Sequence, residues 1–398
     1  MVPYLYARPR TKEGMSHMKS SKLTFFESVM LVAGAGIGTG ILTIPYAVAK
    51  IGTAGTLVAL ALAYGASALL YLVLADLTRH SAATDLMGIL DEHLFFGKRK
   101  KLLHALFLVL LVLLLLENLV VYILCAGNVM SSLWGLSPIP GQILFYLLAS
   151  LVVLFGVKGM GVGEKISVLL IGLVVLLLTV LSGIFPKGAP GLGFGDPSVV
   201  FAVYGLFMFA FSAIFSIIQV CRHIEKPALA GKAILGGLTV NALITLTFSV
   251  ATVLGSETVT EIATVGLSEG LPLPWIRPLC ALMVLFAMLT SFWSSGFAFA
   301  DVVKGQSGLS LRLSWLIATL PALLIALILP LGILDYVQIG AGALSIILIA
   351  VVLPAYAHAV KGSTDTLMPR AWSGRGWLIA LVALAILLMT VSSFMPIP

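Results

Sequence analysis

Long apolar runs, bounded by charged residues, proline or glycine, constrain the fold of this chain more than any other feature. A helix needs about 20 apolar residues to cross the hydrocarbon core of a bilayer. We predict eleven transmembrane helices, at 24–50, 54–78, 103–131, 140–157, 163–185, 198–221, 232–255, 275–300, 311–329, 333–358 and 374–395. Only 10% of the residues are charged, against about a quarter in soluble domains. The sequence therefore predicts an all-α polytopic membrane protein and argues against a soluble enzyme with one anchor.

Lysine and arginine are distributed unevenly between the loops on the two sides. If residues 1–23 form a cytoplasmic tail, the other side of the membrane keeps only Lys50, Lys187 and Arg277 of the 23 basic residues. Basic loops stay cytoplasmic, so we expect the N-terminus inside, the C-terminus outside, and the plasma membrane as the location. The same distribution explains the net charge of +7 without a nucleic-acid partner. We infer the lipid bilayer as the surroundings and no obligate protein partner.

The predicted helices divide into two groups of five. Helices one to five occupy 24–185, helices six to ten occupy 198–359, and helix eleven, 374–395, is left over. Because five is odd, the second group enters the membrane from the opposite side, as in transporters built from inverted repeats. Such transporters bind substrate where the first helix of each repeat is discontinuous. We therefore predict one transmembrane domain over 24–398, with breaks in helices one and six.

The first predicted helix has glycine at every second position of its middle section, at Gly34, Gly36, Gly38 and Gly40. Glycine costs a helix about 1 kcal/mol relative to alanine. Unwound backbone inside a membrane must be buried in protein or line a cavity. We predict that it forms a cradle for substrate, with these residues contributing: Gly36, Gly38, Thr39 and Gly40. The alternative is a point where two helices cross closely.

The sixth predicted helix carries a row of aromatic residues between Tyr204 and Phe215. Within this row, Phe209, Phe211 and Ser212 are the candidate substrate contacts. Core packing is the alternative explanation for aromatic residues at this spacing.

Segments of two predicted helices resemble those of a known family. The run from Gly34 to Ala47, GAGIGTGILTIPYA, is similar to the first-helix signature of the amino acid/auxin permease family, which belongs to the amino acid–polyamine–organocation superfamily. The segments 209–212 and 218–220 resemble the sixth helix of that family. Bacterial aromatic amino acid permeases share a similar first helix. The resemblance implies a leucine-transporter-like fold and secondary transport of amino acids.

Helix eight offers oxygen ligands for a cation. Ala287, Thr290 and Ser291 have the spacing i, i+3, i+4 and can share one helix face. In leucine-transporter-like sodium symporters this pattern supplies half of a sodium site, and the resemblance implies that carbonyls near Ala33 and Gly36 complete it. The alternative is that the hydroxyls bond back to carbonyls of their own helix.

Acidic residues within the membrane are few. Glu117 lies near the middle of helix three, where an acid costs about 2.5–3.5 kcal/mol on insertion scales. It is a candidate proton carrier or polar wall, and the alternative is a hydrogen-bonded structural acid. Tyr122, further along this helix, is a candidate substrate contact. For Glu27 and Asp76, near helix ends, we expect solvated or capping roles.

Taken together, these features predict a symporter that moves neutral amino acids by alternating access and is driven by a sodium gradient. The alternative is a proton-coupled permease for aromatic or branched amino acids. The sequence contains no P-loop, metalloprotease helix or nucleophile elbow. We therefore expect a transporter rather than an enzyme, with no cofactor besides the coupling ion.

Overall fold

The computed structural model describes residues 22–38, 40–83, 85–134, 137–329, 344–361, 365–392, 394, 395 and 397. The first half of the chain forms α1 Phe25–Ile37, α2 Gly40–Arg79, α3 Leu86–His93, α4 Lys100–Trp134, α5 Pro138–Leu151 and α6 Gly156–Ile184. The second half forms α7 Pro197–Ala210, α8 Ile214–His223, α9 Ala230–Gly255, α10 Ala263–Gly270, α11 Ile276–Ser307, α12 Leu311–Ile328, α13 Leu344–Ala359 and α14 Gly376–Ser392. The fold is all-α, as predicted.

Seven of the described helical segments are long and apolar enough to cross a membrane, and four shorter apolar helices accompany them. These segments overlap the predicted ones, except that α2 combines the end of the first predicted helix with the second, and α5 and α6 meet earlier in the chain than predicted. Part of the predicted helix 333–358 lies outside the described residues, which resume at 344. Two short helices, α3 and α10, lie between the predicted transmembrane helices, in segments for which the sequence predicts no helix.

Helix one is broken as predicted. Helix α1 ends at Ile37, and Gly38 has the non-helical angles φ 15° and ψ −139°. The helix resumes at Gly40 as the first part of α2. At Gly52, with φ 68°, the chain turns into the second predicted helix. Only glycine adopts that conformation readily, so Gly52 sets the boundary between the first two membrane crossings.

Helix six is also discontinuous, although only one glycine and no proline mark it in the sequence. Its first half, α7, ends at Ala210, and its second half, α8, starts at Ile214. The two broken helices meet in the centre of the bundle, where α1 packs against α6, α9 and α11 while α2 packs against α7 and α9. The breaks adjoin each other, because a Cβ atom on Gly40 would lie 2.5 Å from the Cβ atom of Ala210, where α7 ends.

The start of helix five differs from the prediction. Helix α6 begins at Gly156, not at 163, after a short 3-10 turn over Val152–Phe155. The sequence analysis began this helix at 163, which left Lys158 outside it and put Glu164 and Lys165 in its first turn. In the structure these residues lie inside the helix, and Glu164 is fully buried two turns from its start.

Candidate substrate cavity and cation junction

A central cavity lies between the two helix breaks. It encloses about 650 Å³ of space not filled by protein atoms, including the part open at its mouth. Helices α1, α2, α4, α7, α8 and α11 contribute to its wall. Six of the predicted substrate residues line it, namely Gly36, Gly38, Gly40, Tyr122, Phe209 and Ser212. The structure therefore brings together residues that are up to 176 positions apart in the sequence.

Two predicted substrate residues do not join this set. Phe211 is fully buried and stacks on Phe207, with ring centroids 5.9 Å apart. It belongs to the packing of α7 and is not among the described residues that line the cavity. Thr39 lies outside the described residues.

The glycines of helix one also allow close packing. A Cβ atom on Gly38 would lie 2.9 Å from the Ser291 hydroxyl oxygen, and one on Gly40 would lie 2.5 Å from the Ala210 Cβ atom. A Cβ on Gly36 would overlap the side-chain amide of Asn241. The two interpretations of the glycine pattern are thus compatible, because the same backbone lines the cavity and touches its neighbours.

Two side chains satisfy backbone groups that the break in helix six leaves free. The Asn241 amide donates a hydrogen bond to the Ala210 carbonyl at 3.0 Å, and the Ala213 N–H donates to the Tyr71 hydroxyl at 3.1 Å. Thr245 donates to Asn241 in turn, at 3.1 Å. Backbone groups that lack partners are costly inside a membrane, so these residues stabilise the break. The sequence analysis missed both, although an asparagine in an apolar helix is a detectable signal.

The polar wall of the cavity comes from α4. Glu117 is 9% exposed and lines the cavity. Its Oε2 atom accepts a hydrogen bond from the Asn118 amide at 3.2 Å, and Asn118 accepts one from the Tyr122 hydroxyl at 3.2 Å. Glu117 is the sole acidic residue, and no lysine or arginine occurs, among the described lining residues. The cavity thus offers one carboxyl group, neutral polar groups and aromatic rings.

The predicted oxygen ligands of α11 face α1. The Thr290 hydroxyl oxygen lies 3.0 Å from the Gly34 carbonyl and 2.9 Å from the Ala287 carbonyl, so it donates to one of them. The Ser291 hydroxyl donates to the Ala35 carbonyl at 3.3 Å. The hydroxyls therefore meet carbonyls of Gly34 and Ala35, which lie between the two predicted partners Ala33 and Gly36. Bonding within α11 and contact with α1 both occur.

Glu164 of α6 reaches the same place, and the sequence analysis missed it. Gly34, Glu164, Ala287 and Thr290 meet here, and we call this place the cation junction after the cation site that the sequence predicts between α1 and α11. Glu164 was passed over because the predicted helix began at 163, which put the acid at the membrane edge. A longer helix in the prediction would have moved it to a depth where an acid is a functional candidate.

Of the two acids near helix ends, Glu27 has the predicted capping role, whereas Asp76 binds backbone of an irregular segment, and neither acid is solvated. Glu27 is 4% exposed and forms a capping box with Thr24 at the start of α1. Asp76 is fully buried and accepts hydrogen bonds from the N–H groups of Leu367, at 2.6 Å, and Met368, at 3.1 Å. Both acids tie separate parts of the chain together.

Comparison with solved structures identifies the fold. The structure of MhsT in complex with L-phenylalanine matches with a TM-score of 0.68 at 19% identity, over 93% of this chain and 98% of that one. The structure of Mhp1, a nucleobase-cation-symport-1 family transporter in a closed conformation with bromovinylhydantoin bound, matches with a TM-score of 0.62 at 13% identity, over 94% and 93%. These matches confirm the predicted leucine-transporter-like fold.

Comparison with protein families gives a match over nearly the whole chain. The model of the tryptophan/tyrosine permease family matches residues 21–392. The family named from the resemblance of the first helix, the amino acid/auxin permeases, is not confirmed. A search of curated proteins found no match.

Proposed function

The chain belongs to the tryptophan/tyrosine permease family, and on that premise we propose that it carries aromatic amino acids across the membrane by alternating access, coupled to a cation gradient. It is a membrane transporter, not an enzyme. The proposal narrows the neutral substrates predicted from the sequence to aromatic ones. MhsT, one of the structural neighbours, has L-phenylalanine bound.

The central cavity is the observation on which the proposal depends. Helices α2 and α8 start at its wall, at Gly40 and Ile214. The first N–H groups of a helix lack partners within it and carry the positive end of its dipole. They suit a substrate carboxylate without a basic side chain. The ammonium group can meet the carbonyl groups at the end of α1 and the carboxyl group of Glu117.

The side chains of the wall favour an aromatic substrate. Phe209, Phe215 and Tyr122 supply three rings from α7, α8 and α4. Aromatic pairs contribute about 0.5–1.5 kcal/mol beyond the burial of their area. Ser295 of α11 also lines the cavity and offers a hydroxyl to the polar edge of a tyrosine or tryptophan side chain. A substrate with a charged side chain has no matched partner here, because Glu117 is already assigned to the ammonium group.

Counterflow in liposomes tests this proposal directly. Purified protein is reconstituted with unlabelled amino acid inside, and entry of labelled tryptophan, tyrosine, phenylalanine, leucine, lysine or glutamate is measured. We expect entry of the three aromatic amino acids and little entry of lysine or glutamate. Rapid exchange of leucine or lysine without exchange of any aromatic amino acid would refute the proposed substrate class.

A matched pair of variants on α7 links the result to the cavity. Phe209→Ala removes a ring of the wall, whereas Phe201→Ala removes one that stacks on Tyr204 away from the cavity. Loss of about 0.5–1.5 kcal/mol of aromatic contact corresponds to a roughly 2- to 12-fold rise in KM. Phe209→Ala should show this rise for tryptophan, and Phe201→Ala should resemble the wild type.

A further inference from the structure

Glu164 is a buried acid without a partner. Its residue is 0% exposed, and neither carboxyl oxygen has a hydrogen-bond partner within the described part of the chain. Burying an ionised carboxylate costs several kcal/mol even after the protein relaxes. A carboxylate in this position requires either a bound cation or a proton to neutralise it.

Glu164 reaches Gly34 at a point where α1 and α11 also bring oxygen atoms together. Its Oε2 atom occupies the space that a side chain on Gly34 would fill. The same imaginary Cβ atom would lie 3.1 Å from the Cβ of Thr290, so three helices meet at this point. The Thr290 hydroxyl oxygen lies 3.0 Å from the Gly34 carbonyl and 2.9 Å from the Ala287 carbonyl, so three oxygen atoms cluster on this side of Gly34. These are hard oxygen ligands of the kind that small cations prefer.

No described basic side chain is placed to pair with Glu164. On its own helix, Lys158 pairs with Glu27 of α1, and Lys165 is partly exposed. The charged or titratable groups on the other two helices packed against α6 are Lys232 of α9 and Arg277, Cys280, Asp301 and Lys304 of α11. Lys232 is exposed. The four groups of α11 are each ten or more positions from Thr290 in the sequence. Ten positions correspond to about 15 Å along a helix.

We propose that Glu164 supplies the negative charge of the coupling-cation site, and that one monovalent cation, either a sodium ion or a proton, binds at the cation junction between α1, α6 and α11. This inference rests on the proposed function as a cation-coupled transporter. It adds an acid from α6 to the oxygen groups that the sequence predicted on α1 and α11. Either cation would neutralise the buried carboxylate.

The position of Gly34 explains how the two sites communicate. Gly34 contacts Glu164, while Gly36, two positions later in the same helix, lines the substrate cavity. Binding of the cation and binding of substrate therefore act on one short segment of α1. Two ligands that favour the same arrangement of a shared element strengthen each other, typically by about 5- to 150-fold.

Glu164→Gln tests the assignment, because glutamine keeps the shape of the side chain but cannot carry its charge. In liposomes, we expect gradient-driven accumulation of tryptophan to fall by about 5- to 150-fold. Tryptophan counterflow, which needs no gradient, should persist. Ser182→Ala is the matched control, since Ser182 is also fully buried on α6 with an unpartnered hydroxyl. It should leave both activities unchanged.

The ion is identified with the wild-type protein by imposing a sodium gradient or a proton gradient separately. If tryptophan accumulation by the wild type depends on one of the two gradients, and this dependence is lost in Glu164→Gln, the result supports the proposal and identifies the cation. Accumulation by Glu164→Gln at the wild-type level refutes it. Loss of counterflow together with accumulation in a well-folded Glu164→Gln protein also refutes it, because the acid would then serve substrate binding.

Thermal unfolding gives a readout that does not depend on the substrate. A ligand that binds only the folded state raises Tm. We expect sodium chloride, compared with choline chloride, or a change of pH, to shift the Tm of the wild type and to have a smaller effect on Glu164→Gln. An equal response in both proteins refutes the assignment. Failure of tryptophan counterflow in the wild type would instead refute the proposed substrate.

If Glu164→Gln does not fold, Glu164→Asp takes its place. Aspartate keeps the charge and shortens the side chain, so the carboxyl group withdraws from Gly34. The concentration of the coupling cation that gives half-maximal uptake should then shift, while the KM for tryptophan at saturating cation changes little. An unchanged cation dependence refutes the role of Glu164.

Discussion

The ammonium nitrogen of Lys158 lies 2.6 Å from the Oε2 atom of Glu27 and joins the start of α6 to the first turn of α1. A second link holds the same end of α1. The Leu23 N–H donates to the His223 carbonyl at 2.8 Å, and the Glu225 N–H donates to the Leu23 carbonyl at 2.9 Å. Any movement of α1 that opens this end of the bundle must break both links.

The ion pair should therefore contribute to stability in a way that a double-mutant cycle can measure. Lys158→Gln leaves the buried Glu27 carboxylate unpaired and should lower Tm. Because the Lys158 side chain is 36% exposed, we expect a coupling near 1 kcal/mol, close to the upper end for solvent-exposed pairs. Adding Glu27→Gln should recover part of the loss. Additive effects of the two substitutions would show that the pair contributes nothing.

Substitution of the glycines that line the cavity should abolish transport. Valine at Gly38 would press on Ser291, and valine at Gly40 would press on Ala210. Overpacking of this kind costs about 1–3 kcal/mol, so the proteins should still fold while the cavity is distorted. We expect no tryptophan counterflow from Gly38→Val or Gly40→Val at normal expression.

Gly172→Val is the control for these two variants. Gly172 lies on α6, and an added Cβ atom would have no heavy atom within 4 Å of it among the described residues. This variant should transport at the wild-type rate. Wild-type counterflow by a well-expressed Gly40→Val protein would show that the backbone near Gly40 does not hold the substrate.

Glu117 and Glu164 should have different roles, although both are buried acids. Glu117 lines the cavity, so Glu117→Gln should raise the KM for tryptophan, by about 10-fold if a charge-assisted hydrogen bond of roughly 1.5 kcal/mol is lost. The pH dependence of uptake by the Glu117→Gln protein should remain that of the wild type. A flat pH profile in Glu117→Gln, with a normal profile in Glu164→Gln, would assign the coupled proton to Glu117.

The fold could be predicted from the sequence because membrane insertion leaves a strong signal. Apolar runs of about 20 residues predicted the transmembrane helices, and the four glycines from Gly34 to Gly40 predicted the break in the first helix. The second break was harder to locate, since it is stabilised by Asn241 and Tyr71, which come from other helices. Contacts across such distances leave no local pattern.

The site was predicted only in part, because contacts between different helices leave no local pattern in the sequence. Backbone and ring positions such as Gly38 and Phe209 follow from their own helices, and they do line the cavity. Whether Phe211 faces the cavity or the core depends on the rotation of α7, which its neighbours set. Glu164, which lies beside Gly34 as Thr290 does, could be recognised as part of the junction only once α6 was placed beside α1.

The hydroxyl groups of α11 provide the last test of the cation junction. Thr290→Ala combined with Ser291→Ala removes the hydroxyls that contact the Gly34 and Ala35 carbonyls. If sodium binds, its activation of uptake should weaken far more than the KM for tryptophan at saturating sodium. If a proton binds at Glu164, the lost hydrogen bonds should lower stability by about 1 kcal/mol each and leave the pH dependence of uptake in place.

Wild-type uptake that is indifferent to replacing sodium by choline would exclude sodium. A double variant with both wild-type sodium activation and wild-type Tm would show that these hydroxyls do not take part in the junction.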